Sequence, residues 1–179
     1  MNKLIAAEFL SLDGVMEDPS WTMPYWNDEI ANYKFDELFS SEAHLLGRVT
    51  YEGFAAAWPG RTDEKGFSDR MNNLPKYVVS KTLQNPSWQG TTVIRQDIPG
   101  EIQKLKAEAG GNILLAGSAA LMQTLIAENL VDEYHLLVYP VVVGKGKRLF
   151  QDGCQAKLKL AECRQFSSGV VLQVYQPDR

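Results

Sequence analysis

The stretch Asn112-Ile113-Leu114-Leu115-Ala116-Gly117-Ser118-Ala119-Ala120-Leu121-Met122 decides the fold class. A short apolar run of strand type stops at Gly117-Ser118, and a helical pattern begins at once, with Leu121, Met122, Leu125 and Ile126 on one side. Gly117 lets the backbone turn tightly and lets a ligand approach the main chain. Ser118 is a good N-cap, so the first amides of the helix point into the space above the strand. Free amides at the positive end of a helix dipole suit a phosphate or pyrophosphate. The alternative is an ordinary strand-to-helix joint with no ligand. The stretch alone is neither a dinucleotide fingerprint nor a P-loop.

Working outward, the same joint recurs. Ala43-His44-Leu45-Leu46 is a short strand ending at Gly47-Arg48, and Val49-Thr50-Tyr51-Glu52 follows in helical pattern. Arg48 brings a planar donor fork to a helix start, useful for phosphate, or else simply bridges to Glu52 one turn on. Tyr77-Val78-Val79 is a third strand, ending in Ser80-Lys81, and Thr91 to Ile94 is another. Lys3 to Leu10 is apolar on both faces, as a central strand is, and runs into the turn signal Asp13-Gly14. A loop rich in aromatics follows, Trp21 to Trp26, which covers either a ligand or the protein's own core. Asn27 to Phe39 is helical. So is the segment opened by Pro99 and Glu101, with Ile102, Leu105 and Ala109 facing inward. Val131 to Val143 reads as one long apolar strand, and Leu158 to Tyr175 as an antiparallel hairpin turned at Ser167-Ser168-Gly169.

Strand–helix alternation with a strand-rich tail means an α/β fold: a central, mostly parallel sheet flanked by helices, with an antiparallel C-terminal hairpin. Ligands of such sheets sit outside the carboxyl ends of the strands. Gly47-Arg48, Ser80-Lys81 and Gly117-Ser118 all fall at such ends, and their convergence on one rim weighs more than any one of them. The 179 residues make a single domain, 1–179, with 45% hydrophobic and 22% charged residues. A net charge of −4 argues against a general nucleic-acid or membrane-surface binder. The N-terminus reads as a first strand rather than a signal peptide. Cys154 and Cys163 match no metal spacing and are expected as free thiols in a reducing cytoplasm. His44 and His135 sit apart, each expected at a strand surface or end, so no metal site is expected. The apolar Val131–Val143 strand and the tail hairpin leave an exposed edge or face in this reading, which favours a homodimer.

Ser11-Leu12-Asp13-Gly14, Gly47-Arg48-Val49-Thr50-Tyr51-Glu52, and Leu130-Val131-Asp132-Glu133-Tyr134 through Pro140 to Phe150 together resemble the dihydrofolate reductase-like family. The resemblance runs over nearly the whole chain. It is closest to the reductase domain of bacterial riboflavin-biosynthesis deaminase-reductases and its stand-alone relatives. It implies a dihydrofolate reductase-like fold and NADPH as hydride donor. It further implies that Arg48 and Thr50 contact the cofactor phosphates, that Ser80 and Lys81 hold the adenosine ribose and its 2′-phosphate, and that Gly47 turns beside them. Ala116, Gly117 and Ser118 match the glycine turn under the pyrophosphate. Ala7 lies where the family's first strand meets the nicotinamide carboxamide, and Leu12 to Gly14 match its mobile loop. The chain departs from the family in having Ala116-Gly117 for the usual glycine pair, and Ala119-Ala120 where dihydrofolate reductases carry an arginine. None of the first-helix acids Asp28, Glu29, Asp36 and Glu37 aligns with the family's pterin-gripping acid.

The expected activity is reduction by NADPH of a pteridine- or pyrimidine-like small molecule, as in 5-amino-6-(5-phosphoribosylamino)uracil reductases. Asp13 and Tyr51 are expected near the reacting ring, with Asp13 as proton source through a raised pKa or else as a plain turn residue. A dihydrofolate reductase proper and a non-catalytic NADPH-binding protein are the two alternatives.

Overall fold

The computed structural model describes residues 1–108 and 110–179. Ala109, expected on the inward face of its helix, lies outside the described residues. The elements run in the order β1 (Leu4–Leu10), α1 (Asp28–Phe39), β2 (Ser41–Gly47), α2 (Arg48–Ala57), α3 (Phe67–Asn73), β3 (Lys76–Val79) and β4 (Thr91–Ile94). They continue with α4 (Ile98–Ala107), β5 (Asn112–Ala116), α5 (Ala119–Ala127), β6 (Glu133–Val138), β7 (Leu158–Gln165) and β8 (Val171–Pro177). Local chemistry sets the helix starts. Asn27 Oδ1 accepts from Ile30 N at 3.0 Å, Asp97 Oδ1 from Gly100 N at 3.2 Å, and Ser118 Oγ from Leu121 N at 3.2 Å.

Among the described residues the strands form one sheet in the order β4-β3-β2-β5-β1-β6-β8-β7. β1 through β6 are mutually parallel, and β8 and β7 join antiparallel at one side. One face of the parallel part packs Leu4, Ala6, Leu45 and Leu115 under α4 and α5, where Ile102, Leu121, Met122 and Leu125 are buried. The other packs Ile5, Ala7, Leu46, Val78 and Leu114 under α2 and α3. A third cluster joins Ile30 of α1 to Leu137, Tyr139, Phe166 and Leu172 beside the tail hairpin. All three rest on the two-residue alternation of central strands that are apolar on both faces.

The expected strand Val131–Val143 is a correction. β6 is only Glu133–Val138. Asp132 turns its backbone N–H onto Leu4 O at 2.9 Å and its carboxylate onto Leu4 N at 2.8 Å, which sets where pairing with β1 begins. At the other end Pro140 has no N–H to offer a ladder, and Val141 N folds back on Tyr139 O at 2.8 Å. Nor does β6 present an edge, because β8 covers the side away from β1. At that end of the sheet the bare edge is β7, which is mostly exposed.

Trp21 and Tyr25 sit in a 3-10 turn over Pro19–Tyr25 and present their rings to Tyr139, with centroids 5.6 and 6.0 Å away. They cover the protein's own core, the plainer of the two expectations. Trp26 stays 44% exposed beside Phe9. His44 is likewise buried in the sheet rather than at its surface, and burial first, with Lys76 behind it, pulls its imidazole down to about 4. No helix among the described residues is long and apolar enough to cross a membrane.

Candidate functional site

Parallel pairing puts the carboxyl ends of β1 to β5 on one edge of the sheet, and an open groove of about 360 Å³ runs along it. Its walls are Gly47 and Arg48 at the end of β2, Ser80 and Lys81 after β3, Ile94 and Arg95 at the end of β4, and Ser118, the N-cap of α5, with Leu121 and Thr124 of that helix. Three strand ends singled out in the sequence thus meet in one place. Arg95 was missed. Its signal lies in its place directly after the fourth strand, the same place that Ser80-Lys81 holds after the third. Its guanidinium donates to Leu83 O at 2.7 Å, which fixes the loop beyond Lys81.

The two glycine turns are clasped together. A Cβ on Gly47 would fall 2.2 Å from Ser118 Oγ, and one on Gly117 would fall 2.3 Å from Thr50 Oγ1. Each turn therefore fills the space a side chain would need in the other. Gly117 adds a φ of +69°, and Ser118 follows at +64°. Thr50 consequently packs beneath the Gly117 turn. Arg48 spans α2 to Glu52, both carboxylate oxygens 3.0 Å from its Nη1, as the plainer expectation had it. Ser80 Oγ accepts from Thr82 N and Leu83 N at 3.2 and 3.0 Å, shaping the turn that aims Lys81. Gly47 caps α2 without a side-chain acceptor, so the first amides of that helix face the groove unclaimed by any side-chain cap.

Beside the groove the sheet splits. β1 and β5 pair only as far as Ala6 and Leu115, after which β1 continues along β6 and β5 along β2. Ala7 lies on the open side of this split. Glu8 follows it, 7% exposed, with Oε1 finding no hydrogen-bond partner among the described residues. Burial, opposed by Lys34 and the Gly117 N–H, pushes its carboxyl up to about 8.

Both expected catalytic residues have their polar atoms engaged by other parts of the chain. Asp13 accepts from Ser11 Oγ at 2.6 Å, Val143 N at 3.1 Å and Gly144 N at 2.8 Å. Those donors, the hydroxyl foremost, hold the carboxyl down to about 2, the reverse of a raised pKa, so the turn reading is the one the geometry matches. With Leu12 N on Val141 O at 2.8 Å and Arg148 Nε on Asp13 O at 2.9 Å, the Leu12–Gly14 loop is stitched to the loop after β6. Tyr51 is 2% exposed, and its hydroxyl accepts from Trp88 N at 3.0 Å, on the core side of α2 and away from the groove. Two of the four α1 acids are engaged as well. Glu37 is ion-paired to Lys34 and His135, which outweigh its burial and hold it near 2, and Glu29 accepts from Ser167 N at 2.8 Å.

The raised Glu8 pKa has a measurable consequence. Folded chains bind one more proton than unfolded ones between the ordinary carboxylate range and about pH 8, so stability falls as pH rises through that window and levels off above it. The slope approaches about 1.4 kcal/mol per pH unit at most. Glu8→Gln removes it, so the variant-minus-wild-type stability from urea unfolding should climb with pH. A flat difference would show that the carboxyl is hydrated in solution.

Residues 2–172 match the family described as the RibD C-terminal domain. An uncharacterised protein of Bacillus subtilis (strain 168), YyaP, is 39% identical over 144 residues, covering 78% of this chain and 76% of its own. A Thermotoga maritima diaminohydroxyphosphoribosylaminopyrimidine deaminase/5-amino-6-(5-phosphoribosylamino)uracil reductase superposes with a TM-score of 0.69 at 16% identity, over 98% of this chain and 56% of its own. A dihydrofolate reductase from Enterococcus faecalis, complexed with NADP(H), superposes with a TM-score of 0.64 at 16% identity, over 99% and 97% of the two chains. These superpositions give the chain a dihydrofolate reductase-like fold. With the family match spanning nearly every residue, the chain belongs to the RibD C-terminal domain family, a family of reductases.

Proposed function

We propose that the protein is an NADPH-dependent reductase of a pteridine- or pyrimidine-like small molecule. The observation that carries this is the single groove in which strand ends of β2 to β5 bring together Arg48, Lys81, Arg95 and two glycine-lined helix starts. The donor set fits a phosphorylated dinucleotide. Lys81 and Arg95 suit a 2′-phosphate, and the first amides of α2 and α5 suit a pyrophosphate. Gly117 allows main-chain approach where a Cβ has no room. The backbone of Ala7, unpaired toward β5, suits a carboxamide in the split. NADPH bound there supplies a hydride, and the chain's part is to hold two flat rings together with water excluded.

Reduction of a pyrimidine ribosyl compound, the chemistry in the Thermotoga protein's name, is favoured over reduction of dihydrofolate. The buried acid of α1, Glu37, is locked between Lys34 and His135 rather than free to grip a pterin. No nucleic acid or membrane enters this reading. In this reading a homodimer pairs through β7, since that strand and not β6 is bare on this side of the sheet.

NADPH should quench tryptophan fluorescence with a micromolar dissociation constant, and a panel of pteridines, pyrimidine ribosyl compounds and dihydrofolate should then identify a substrate by loss of nicotinamide absorbance. Indifference to NADPH at millimolar levels would overturn the proposal. Binding with no turnover on any of the panel would leave a nucleotide-binding protein instead.

A further inference from the structure

Glu8 is the one buried acid on the central strand, and none of the cofactor contacts above involves it. A carboxylate in the middle of a sheet is costly to bury unless paired. Glu8 shares the sheet face of Leu4, Ala6 and Leu10 by alternation. Continuing the β1–β5 register two residues past its last pair brings Glu8 level with Gly117. It therefore stands where the two strands part. The Gly117 N–H faces it, while Oε1 has no partner among the described residues. From α1 the charges of Lys34 and Glu37 act on it, opposing one another. β5 and α5 contribute no ionisable side chain, and β6 contributes only Tyr134 on this face, a phenol that burial pushes up to about 12.

This inference rests on the groove and split being an NADP(H) seat. In that seat the ring beside Ala7 is neutral when reduced and carries a positive charge when oxidised. We propose that Glu8 is the charge partner of that ring, a neutral carboxyl beside the reduced form and a carboxylate beside the oxidised one. Seating the oxidised form breaks the carboxyl O–H bond and passes the proton to solvent, and the new carboxylate offsets the ring's charge. Seating the reduced form keeps the proton on Glu8, where a carboxyl offers a carboxamide both a donor and an acceptor. The chain thereby senses the redox state of its cofactor through one side chain.

The test measures dissociation constants of NADP⁺ and NADPH for the full chain from about pH 6 to about pH 9.5, taking their ratio so that titration of the shared 2′-phosphate cancels. As pH rises, the wild-type ratio of NADP⁺ to NADPH constants should fall roughly tenfold or more. Calorimetry near pH 7.5, in two buffers of different ionisation enthalpy, should show protons released on NADP⁺ binding. Glu8→Gln keeps the shape and both hydrogen-bonding roles but cannot ionise, so it should bind both forms with a ratio independent of pH. Lys76 of β3 is also brought down to about 8, and it is unchanged in that variant. A flat wild-type ratio, or a slope that survives in Glu8→Gln, overturns the inference while leaving the NADPH reading intact. If neither nucleotide binds, the proposed function fails and takes this inference with it.

Discussion

Lys81→Ala combined with Arg95→Ala weakens NADPH binding roughly 100-fold and leaves NADH binding within about threefold of wild type, counting about tenfold for each charge-assisted bond to phosphate. NADH lacks the 2′-phosphate, so it has nothing to lose at that end of the groove. Lys81 is exposed after β3, and Arg95 follows β4 on the same wall, their spacing set by the Arg95 bond to Leu83 O. Arg48→Ala is expected to cost less. Its guanidinium is already held by Glu52 and must surrender that pair before it meets a phosphate. Fluorescence titration of both nucleotides against the double variant checks this. Equal losses for NADPH and NADH would remove the 2′-phosphate assignment and leave the cations as general counter-charges.

Gly117→Ala is expected to destabilise the fold by about 2–5 kcal/mol and to abolish nucleotide binding. A residue with a Cβ at a φ of +69° costs about 1–2 kcal/mol, and forcing that Cβ against Thr50 adds about 1–3. The two parts are separable. Adding Thr50→Ala removes Oγ1 and Cγ2, the atoms at 2.3 and 2.9 Å from the new methyl, but keeps Cβ at 3.1 Å, so it should restore most of the packing share and none of the conformational one. Urea unfolding of the single and double variants checks the division. Full recovery in the double variant would mean that backbone strain at Gly117 is negligible.

The sequence carried the sheet and its loaded rim because both depend on local pattern. Apolar runs of central strands, glycine at the turns and Ser118 as a cap are legible within a few residues, and they placed Gly47-Arg48, Ser80-Lys81 and Gly117-Ser118 together as found. What pattern could not show was where side chains spend their hydrogen bonds. Asp13 reads equally as acid or turn until Val143 and Gly144, some 130 residues away, are seen donating to it. Tyr51 sits one residue from Thr50 in sequence, yet the helix turns it into the core toward Trp88. Glu8 lies inside a strand that otherwise reads as apolar on both faces. Its significance depends on the parting of β1 from β5, a property of two strands and not of one. The Val131–Val143 run misled because hydropathy does not register that Pro140 ends a ladder or that Asp132 starts one.

The stitching of the loop after β1 to the loop after β6 has a kinetic consequence. Asp13 takes two amides of the second loop, while Leu12 and Arg148 add bonds in both directions, so neither loop can swing while the other stays. They form a single panel over the carboxyl ends of those strands. Residence time beneath such a panel is governed by a concerted rupture, and departure of a bound molecule there would be slow relative to its arrival.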